Sequence, residues 1–185
     1  MDFTVFVFGD SRCGKSSFCN QLCEKIFAAD TGPHGDRWCH WETTVDGEKC
    51  RVQLLDTGGQ EEVTHVRDAR GREYEGTVLL YSIASRSSFE ATRLFRDLVL
   101  RVKDVDSFPM VLVGTCADME EMRAVSAQEG QEAAQAMQAA FFEVSSKTRV
   151  NIDEALENLV RMIRHAKQQQ QQQQQVQGSV RCALM

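Results

Sequence analysis

The feature that most constrains this chain is its first turn of direction. Asp2–Phe8 (DFTVFVF) is rich in β-branched and aromatic residues and stops at Gly9, which reads as a strand. Apolar side chains at helical spacing follow from Lys15 to Phe27. Between them lies GDSRCGKSS, residues 9–17, a match to G-x-x-x-x-G-K-[ST] in the strand–loop–helix setting that gives this motif its meaning. Two glycines let such a backbone curl until its N–H groups point inward, and the helix that starts there adds its positive end. The loop is therefore shaped for phosphate oxygens. Gly9, Asp10, Ser11, Arg12, Cys13, Gly14, Lys15, Ser16 and Ser17 are its candidate contacts, with Lys15 along the β- and γ-phosphates and the Ser16 hydroxyl on Mg²⁺.

Further along, Trp38–Val45 and Lys49–Leu55 read as strands joined at Asp46-Gly47, a hairpin signal. Gly76–Ser82 and Pro109–Gly114 are apolar runs of strand length, and Phe141–Val144 is a shorter one. Ser88–Val102, Ser126–Ala140 and Ile152–His165 show helical periodicity. One hairpin followed by alternating strands and helices predicts a mostly parallel sheet covered on both faces. Ligands in such sheets bind at the carboxyl ends of the strands.

The 185 residues suit one domain, with a tail. A net charge of −6 argues against nucleic acid as a partner. Seven cysteines without a CxxC pair make zinc improbable, and the odd count with no signal peptide favours reduced thiols in the cytosol. Asp2 rather than glycine after the initiator excludes N-myristoylation, and no apolar run reaches the length of a membrane span.

LLDTGGQEE, residues 54–62, follows a strand and supplies a second loop. Asp56 at the strand end suits a magnesium-bound water, in the outer shell of the ion. Gly59 lets an N–H approach a γ-phosphate, and the Gln60 amide can orient an attacking water by donating and accepting at once.

With both loops in place, the sequence resembles the Ras-like small GTPases from about Phe3 to Lys167. The hairpin VDGEKC, PMVLVG at 109–114 and EVSSKT at 143–148 fall in the family's order and approximate spacing. The opening Gly-Asp-Ser looks more like the Rab branch, the hairpin and tail more like Ras proper. The resemblance implies a three-layer P-loop GTPase fold (G domain), a six-stranded mostly parallel sheet of order 2-3-1-4-5-6 with five helices. It implies GTP and GDP as ligands, Mg²⁺ as cofactor, and a molecular switch with slow hydrolysis on the order of 10⁻⁴ s⁻¹. Effectors, exchange factors and GTPase-activating proteins would be its partners, with the chain itself a monomer.

The resemblance also assigns residues. Gln60 would be catalytic, Thr57, Gly58 and Gly59 would lie on the γ-phosphate side, and Ser145, Ser146 and Lys147 would form the loop whose backbone reaches the guanine O6. Phe27 would pack edge-on near the base; its other reading is the last apolar residue of its helix.

Three departures stand out. The family's Asn-Lys-x-Asp motif is Thr115-Cys116-Ala117-Asp118 here. Asp118 retains the bidentate, charge-assisted contact that selects guanine. Loss of the asparagine and lysine removes loop ties and an aliphatic stem along the base. At roughly 1 kcal/mol per lost hydrogen bond, affinity is expected to fall about ten- to a hundredfold. His34 stands where a Mg²⁺-binding threonine belongs, with Pro33 on the family proline and Thr31 nearby, and imidazole is a poor magnesium ligand. GDRWCHW, residues 35–41, is unlike the Ras effector segment; Trp38 and Trp41 read as strand packing in preference to partner-facing aromatics. Arg12 reads as solvent-facing in preference to a built-in arginine finger, and Gly58 in place of alanine is expected to loosen its loop.

The eight glutamines at 168–175 are low-complexity and cannot build a core, so 1–167 is the expected G domain and 168–185 a linker and tail. Glutamine is a fair helix former, so partial extension of the last helix is compatible. The end, Cys182-Ala183-Leu184-Met185, is a C-a-a-X box whose methionine favours farnesylation of Cys182. One lipid without a palmitoylated cysteine or a basic cluster predicts peripheral attachment at the cytoplasmic face of membranes, exchanging with the cytosol. The rival reading is a Ras-like pseudo-GTPase scaffold with weak nucleotide binding. An ATP-using P-loop kinase is disfavoured, because Asp118 holds the guanine-reading position and no substrate lid is visible.

Overall fold

The computed structural model describes residues 1–27, 37–57 and 74–183, with side chains through residue 172. Strands β1 (Asp2–Gly9), β2 (Arg37–Val45), β3 (Glu48–Asp56), β4 (Gly76–Ser82), β5 (Met110–Thr115) and β6 (Ala140–Glu143) form one sheet. Its order is β2-β3-β1-β4-β5-β6, with only the β2–β3 hairpin antiparallel. Helices α1 (Lys15–Cys23), α2 (Arg86–Lys103), α3 (Ala127–Met137) and α4 (Ile152–Ala183) cover it. The described residues thus hold four α-helices, where five were expected, together with a 3₁₀ turn at Glu120–Met122.

Period-two alternation in β1 divides the core. Val5 and Val7 face a cluster containing Phe18 and Leu22 of α1 and Leu156, Leu159 and Ile163 of α4. Phe6 and Phe8 face the opposite cluster, with Val99 of α2 and Ala134 and Met137 of α3. β4 lies between two parallel neighbours and is buried along its whole length, which is why its sequence is a continuous apolar run.

Two helices differ from their sequence patterns. α1 stops at Cys23 instead of Phe27: the Glu24 N–H caps Asn20 and Lys25 turns to a φ of 57°. Ile26 and Phe27 are 57% and 42% exposed, so the apolar spacing there did not mark a buried face. α4 runs on past His165 through the glutamine tract to Ala183: glutamine is a fair helix former, no proline intervenes, and the helix continues through Gly178. No helix among the described residues is long and apolar enough to cross a membrane.

Candidate functional site

The carboxyl ends of β1, β3, β5 and β6 lie together at one end of the sheet. Parallel register brings this about: Val7 pairs with Asp56, Gly9 with Leu80, Ser82 with Thr115 and Gly114 with Glu143.

In the first loop Gly14 has a φ of 90°, a left-handed conformation that glycine adopts without steric cost, and it leads directly into α1. The Lys15 ammonium is buried and donates to the carbonyls of Gly9 and Asp10 at 2.6 and 2.9 Å. Its charge is held at the mouth of the loop by the loop's own backbone. The Cys13 side chain is packed into the core. Ser11 N–H donates to Asp10 Oδ1 at 2.8 Å, and Ser11 and Arg12 are exposed. Arg12 therefore points to solvent here, with a φ of 62°. Ser16 and Ser17 open the helix at intermediate exposure.

Asp56 ends β3 and is fully buried. A carboxylate at that depth carries a large desolvation cost that a nearby cation offsets. Together with the Ser16 hydroxyl it offers hard oxygen donors, the chemistry magnesium takes, so the residues fit that ion. Thr57 beside it is equally buried and donates its hydroxyl to the Val7 carbonyl at 2.8 Å, tying β3 to β1. Gly58, Gly59 and Gln60 lie outside the described residues, as do Thr31, Pro33 and His34.

The loop after β5, residues 115–118, is tied to its neighbours by hydrogen bonds. Thr115 Oγ1 lies 2.6 Å from the Cys13 carbonyl and 3.1 Å from that of Tyr81. A single hydroxyl, shared between two backbone acceptors, thus joins the end of β5 to the phosphate loop. Threonine, with the one hydroxyl that the sequence offers in place of the asparagine amide, keeps this tie because its side chain lies directly against Gly14. Cys116 follows with a φ of 62° and intermediate exposure, and has no counterpart to the missing aliphatic stem. Asp118 Oδ1 accepts from the Ser145 hydroxyl at 2.6 Å, and Ser145 Oγ in turn accepts from Thr148 N–H at 3.1 Å. The Ala117 N–H donates to the Val144 carbonyl at 3.0 Å. Ser145 and Ser146 are buried and Lys147 is exposed.

Two arginines buttress this end of the sheet that sequence reasoning passed over. Arg149, with a φ of 63°, donates to the Gln21 carbonyl at 2.7 Å and grips Asp153 through Nη2 at 2.7 and 2.9 Å. Trp41 Nε1 reaches the same Asp153 at 3.2 Å. Arg123 forks onto Glu143 at 2.6 and 2.9 Å, and that carboxylate with Glu120 pushes its pKa up. The only sequence signal for these was the spacing of Arg149 and Asp153, four residues apart at the start of a helix. The two tryptophans divide: Trp41 is buried as strand packing, while Trp38 is 45% exposed, with its ring edge-on to Phe6.

A six-stranded sheet of this order, with a phosphate-shaped loop after its central β1, defines the G domain of small GTPases. The sequence profile of the Ras family matches residues 4–165. The chain is 39% identical over 165 residues to the "Ras-like protein rasC" of Dictyostelium discoideum, covering 89% of this chain and 87% of that one. It is 37% identical over 166 residues to the "Ras-like protein RAS2" of Hydra vulgaris, covering 90% and 86%. The chain belongs to the Ras family, as a divergent Ras-like small GTPase. Membership implies GTP and GDP as its nucleotides and a place among signalling switches.

Proposed function

We propose that this protein is a GTP/GDP-dependent switch that hydrolyses GTP slowly and attaches reversibly to the cytoplasmic face of membranes through a farnesyl group on Cys182. What supports the nucleotide reading is the placement of Lys15, Asp56 and Asp118 at the carboxyl ends of three parallel strands. Lys15 is held at its loop's mouth, Asp56 is buried, and Asp118 is oriented by Ser145.

In this reading backbone N–H groups of residues 10–17 and the Lys15 ammonium bind the phosphates. Ser16 would bind Mg²⁺ through its hydroxyl and Asp56 would hold a water on the ion from its outer shell; the ion would neutralise phosphate charge. Asp118 accepts from guanine N1–H and the exocyclic amine, and the Ser146 and Lys147 backbone faces O6, with Phe27 beside the base. Gly59 approaches the γ-phosphate, and Gln60 orients the attacking water. The Gln60 amide is too weak a base to abstract a proton, so turnover stays slow until an activating protein assists. Exchange factors and effectors complete the cycle, and the chain acts as a monomer. Residues 1–167 form the nucleotide-binding unit and 168–185 its tether.

The nucleotide that copurifies with the protein tests this directly. GDP or GTP is expected; equal binding of GDP and ADP in isothermal titration would sink it. A Cys182→Ser variant is expected to leave the membrane fraction, and unchanged fractionation removes the lipid claim.

Cys116 favours a second reading, a scaffold that binds nucleotide weakly. Single-turnover hydrolysis separates the two: wild type faster than Gln60→Leu supports the switch. Equal rates, with the same hydrogen-exchange protection in GDP and GTP, support the scaffold.

A further inference from the structure

α1 ends on Cys23, and Cys39 sits in β2, sixteen positions later, with its sulfur 3.0 Å from that of Cys23. A disulfide requires the sulfurs to close by about 1 Å from there. The elements are already held together, since Arg37 donates to Asn20 Oδ1 and lies 3.5 Å from Glu24 Oε1. Access is uneven. Cys39 is 5% exposed, Cys23 is half-buried, and β2 is the outermost strand of its side of the sheet. A small oxidant can therefore reach the pair from the Cys23 side. Cys19, one turn earlier on α1, is fully buried and also hydrogen-bonds to Cys39. Hydrogen bonds from Cys19 and Cys23, with the Arg37 charge, lower the Cys39 thiol, while the same bond and burial raise that of Cys23. These contacts favour the thiolate at Cys39 and the thiol at Cys23.

We propose that Cys23 and Cys39 are a modification site, forming a reversible disulfide when the protein meets a hydroperoxide. The Cys39 thiolate attacks a peroxide oxygen. An S–O bond forms, the O–O bond breaks, and the departing oxygen takes a proton and leaves as water or an alcohol. The Cys23 sulfur then attacks the resulting sulfenic acid. An S–S bond forms, the S–O bond breaks, and hydroxide leaves as water with the Cys23 proton. Two thiols are oxidised by two electrons and the hydroperoxide is reduced by two. A dithiol returns both thiols by exchange. The product staples the helix that opens from the phosphate loop to the edge strand, a link that stands whether or not the nucleotide reading holds.

The test uses the full chain treated briefly with hydrogen peroxide, alkylated under denaturing conditions and mapped by peptide mass spectrometry. The expected product is a Cys23–Cys39 link, lighter than the reduced pair by two hydrogens and reversed by dithiothreitol. Because Cys19 and Cys23 share a tryptic peptide, Cys19→Ser should keep the link and Cys23→Ser should lose it. The thermal midpoint of the oxidised wild type should rise, and that of Cys23→Ser should not. A link through Cys19 overturns the proposal. So does oxidation of Cys23, Cys39 or Cys116 to sulfinic acid without any link. The wild-type map stands on its own if a serine at either position disturbs folding.

Discussion

The Thr115 hydroxyl lies 2.6 Å from the carbonyl oxygen of Cys13, 102 positions earlier in the chain. This contact couples the end of β5 to the loop between β1 and α1, the two segments proposed to read the base and to bind phosphate. Thr115→Val keeps the shape and removes the donor, leaving the Cys13 carbonyl without that partner. A buried acceptor so treated costs about 1–3 kcal/mol. Both a lower thermal midpoint and roughly tenfold weaker GDP binding are expected by calorimetry. Thr115→Ser, which keeps the hydroxyl, should lie close to wild type.

Ser145 holds Asp118 through a 2.6 Å hydrogen bond, so the two should weaken guanine binding in a graded way. Asp118→Ala removes a charge-assisted contact of about 1.5–3 kcal/mol, or roughly ten- to a hundredfold in affinity for GDP. Ser145→Ala only frees the carboxylate to rotate and should cost several-fold. In titration, a larger loss for Ser145→Ala than for Asp118→Ala would contradict this ordering.

Gly9 sits against β4 so closely that an added Cβ would lie 2.4 Å from the Leu80 carbonyl oxygen and 2.6 Å from Cys13 Sγ. Backbone cannot swing aside as a long side chain can. Gly9→Ala should therefore destabilise the fold by about 1–3 kcal/mol, the usual cost of overpacking. Urea denaturation should show a lower midpoint with an unchanged slope.

The Arg86 guanidinium contacts Glu129 at 2.7 and 3.2 Å, and the Ser126 cap adds two more hydrogen bonds. Arg86 first, then Ser126, lowers the Glu129 carboxyl from its ordinary 4.5 to about 2. As pH falls, the unfolded chain takes up this proton before the folded one, so the stabilisation present above pH 4.5 is lost between 4.5 and about 2. Glu129→Gln should flatten the pH dependence of the thermal midpoint in that window and lower the midpoint at neutral pH.

Much of the fold was legible because it is written in local periodicity. The alternation of Val5, Phe6, Val7 and Phe8 marks a strand between two cores, and the unbroken run Gly76–Ser82 marks one buried by neighbours on both sides. The phosphate loop was legible for the same reason, since its glycines and lysine act within nine consecutive residues. Helix ends were less so. Lys25 turned left-handed where Ile26 and Phe27 continued the apolar spacing, and spacing alone does not reveal which face the core will cover.

By itself, then, the sequence determined the strands of the sheet, its order through family resemblance, and which side chains each loop offers, all properties of residues close together in the chain. Only the tertiary structure decided how those loops depend on one another. That one threonine ties β5 to the phosphate loop, that Arg149 grips both α1 and α4, and that Cys23 meets Cys39 are facts of distance between remote segments. Parallel register and helix packing set such distances, and no local pattern of residues encodes them.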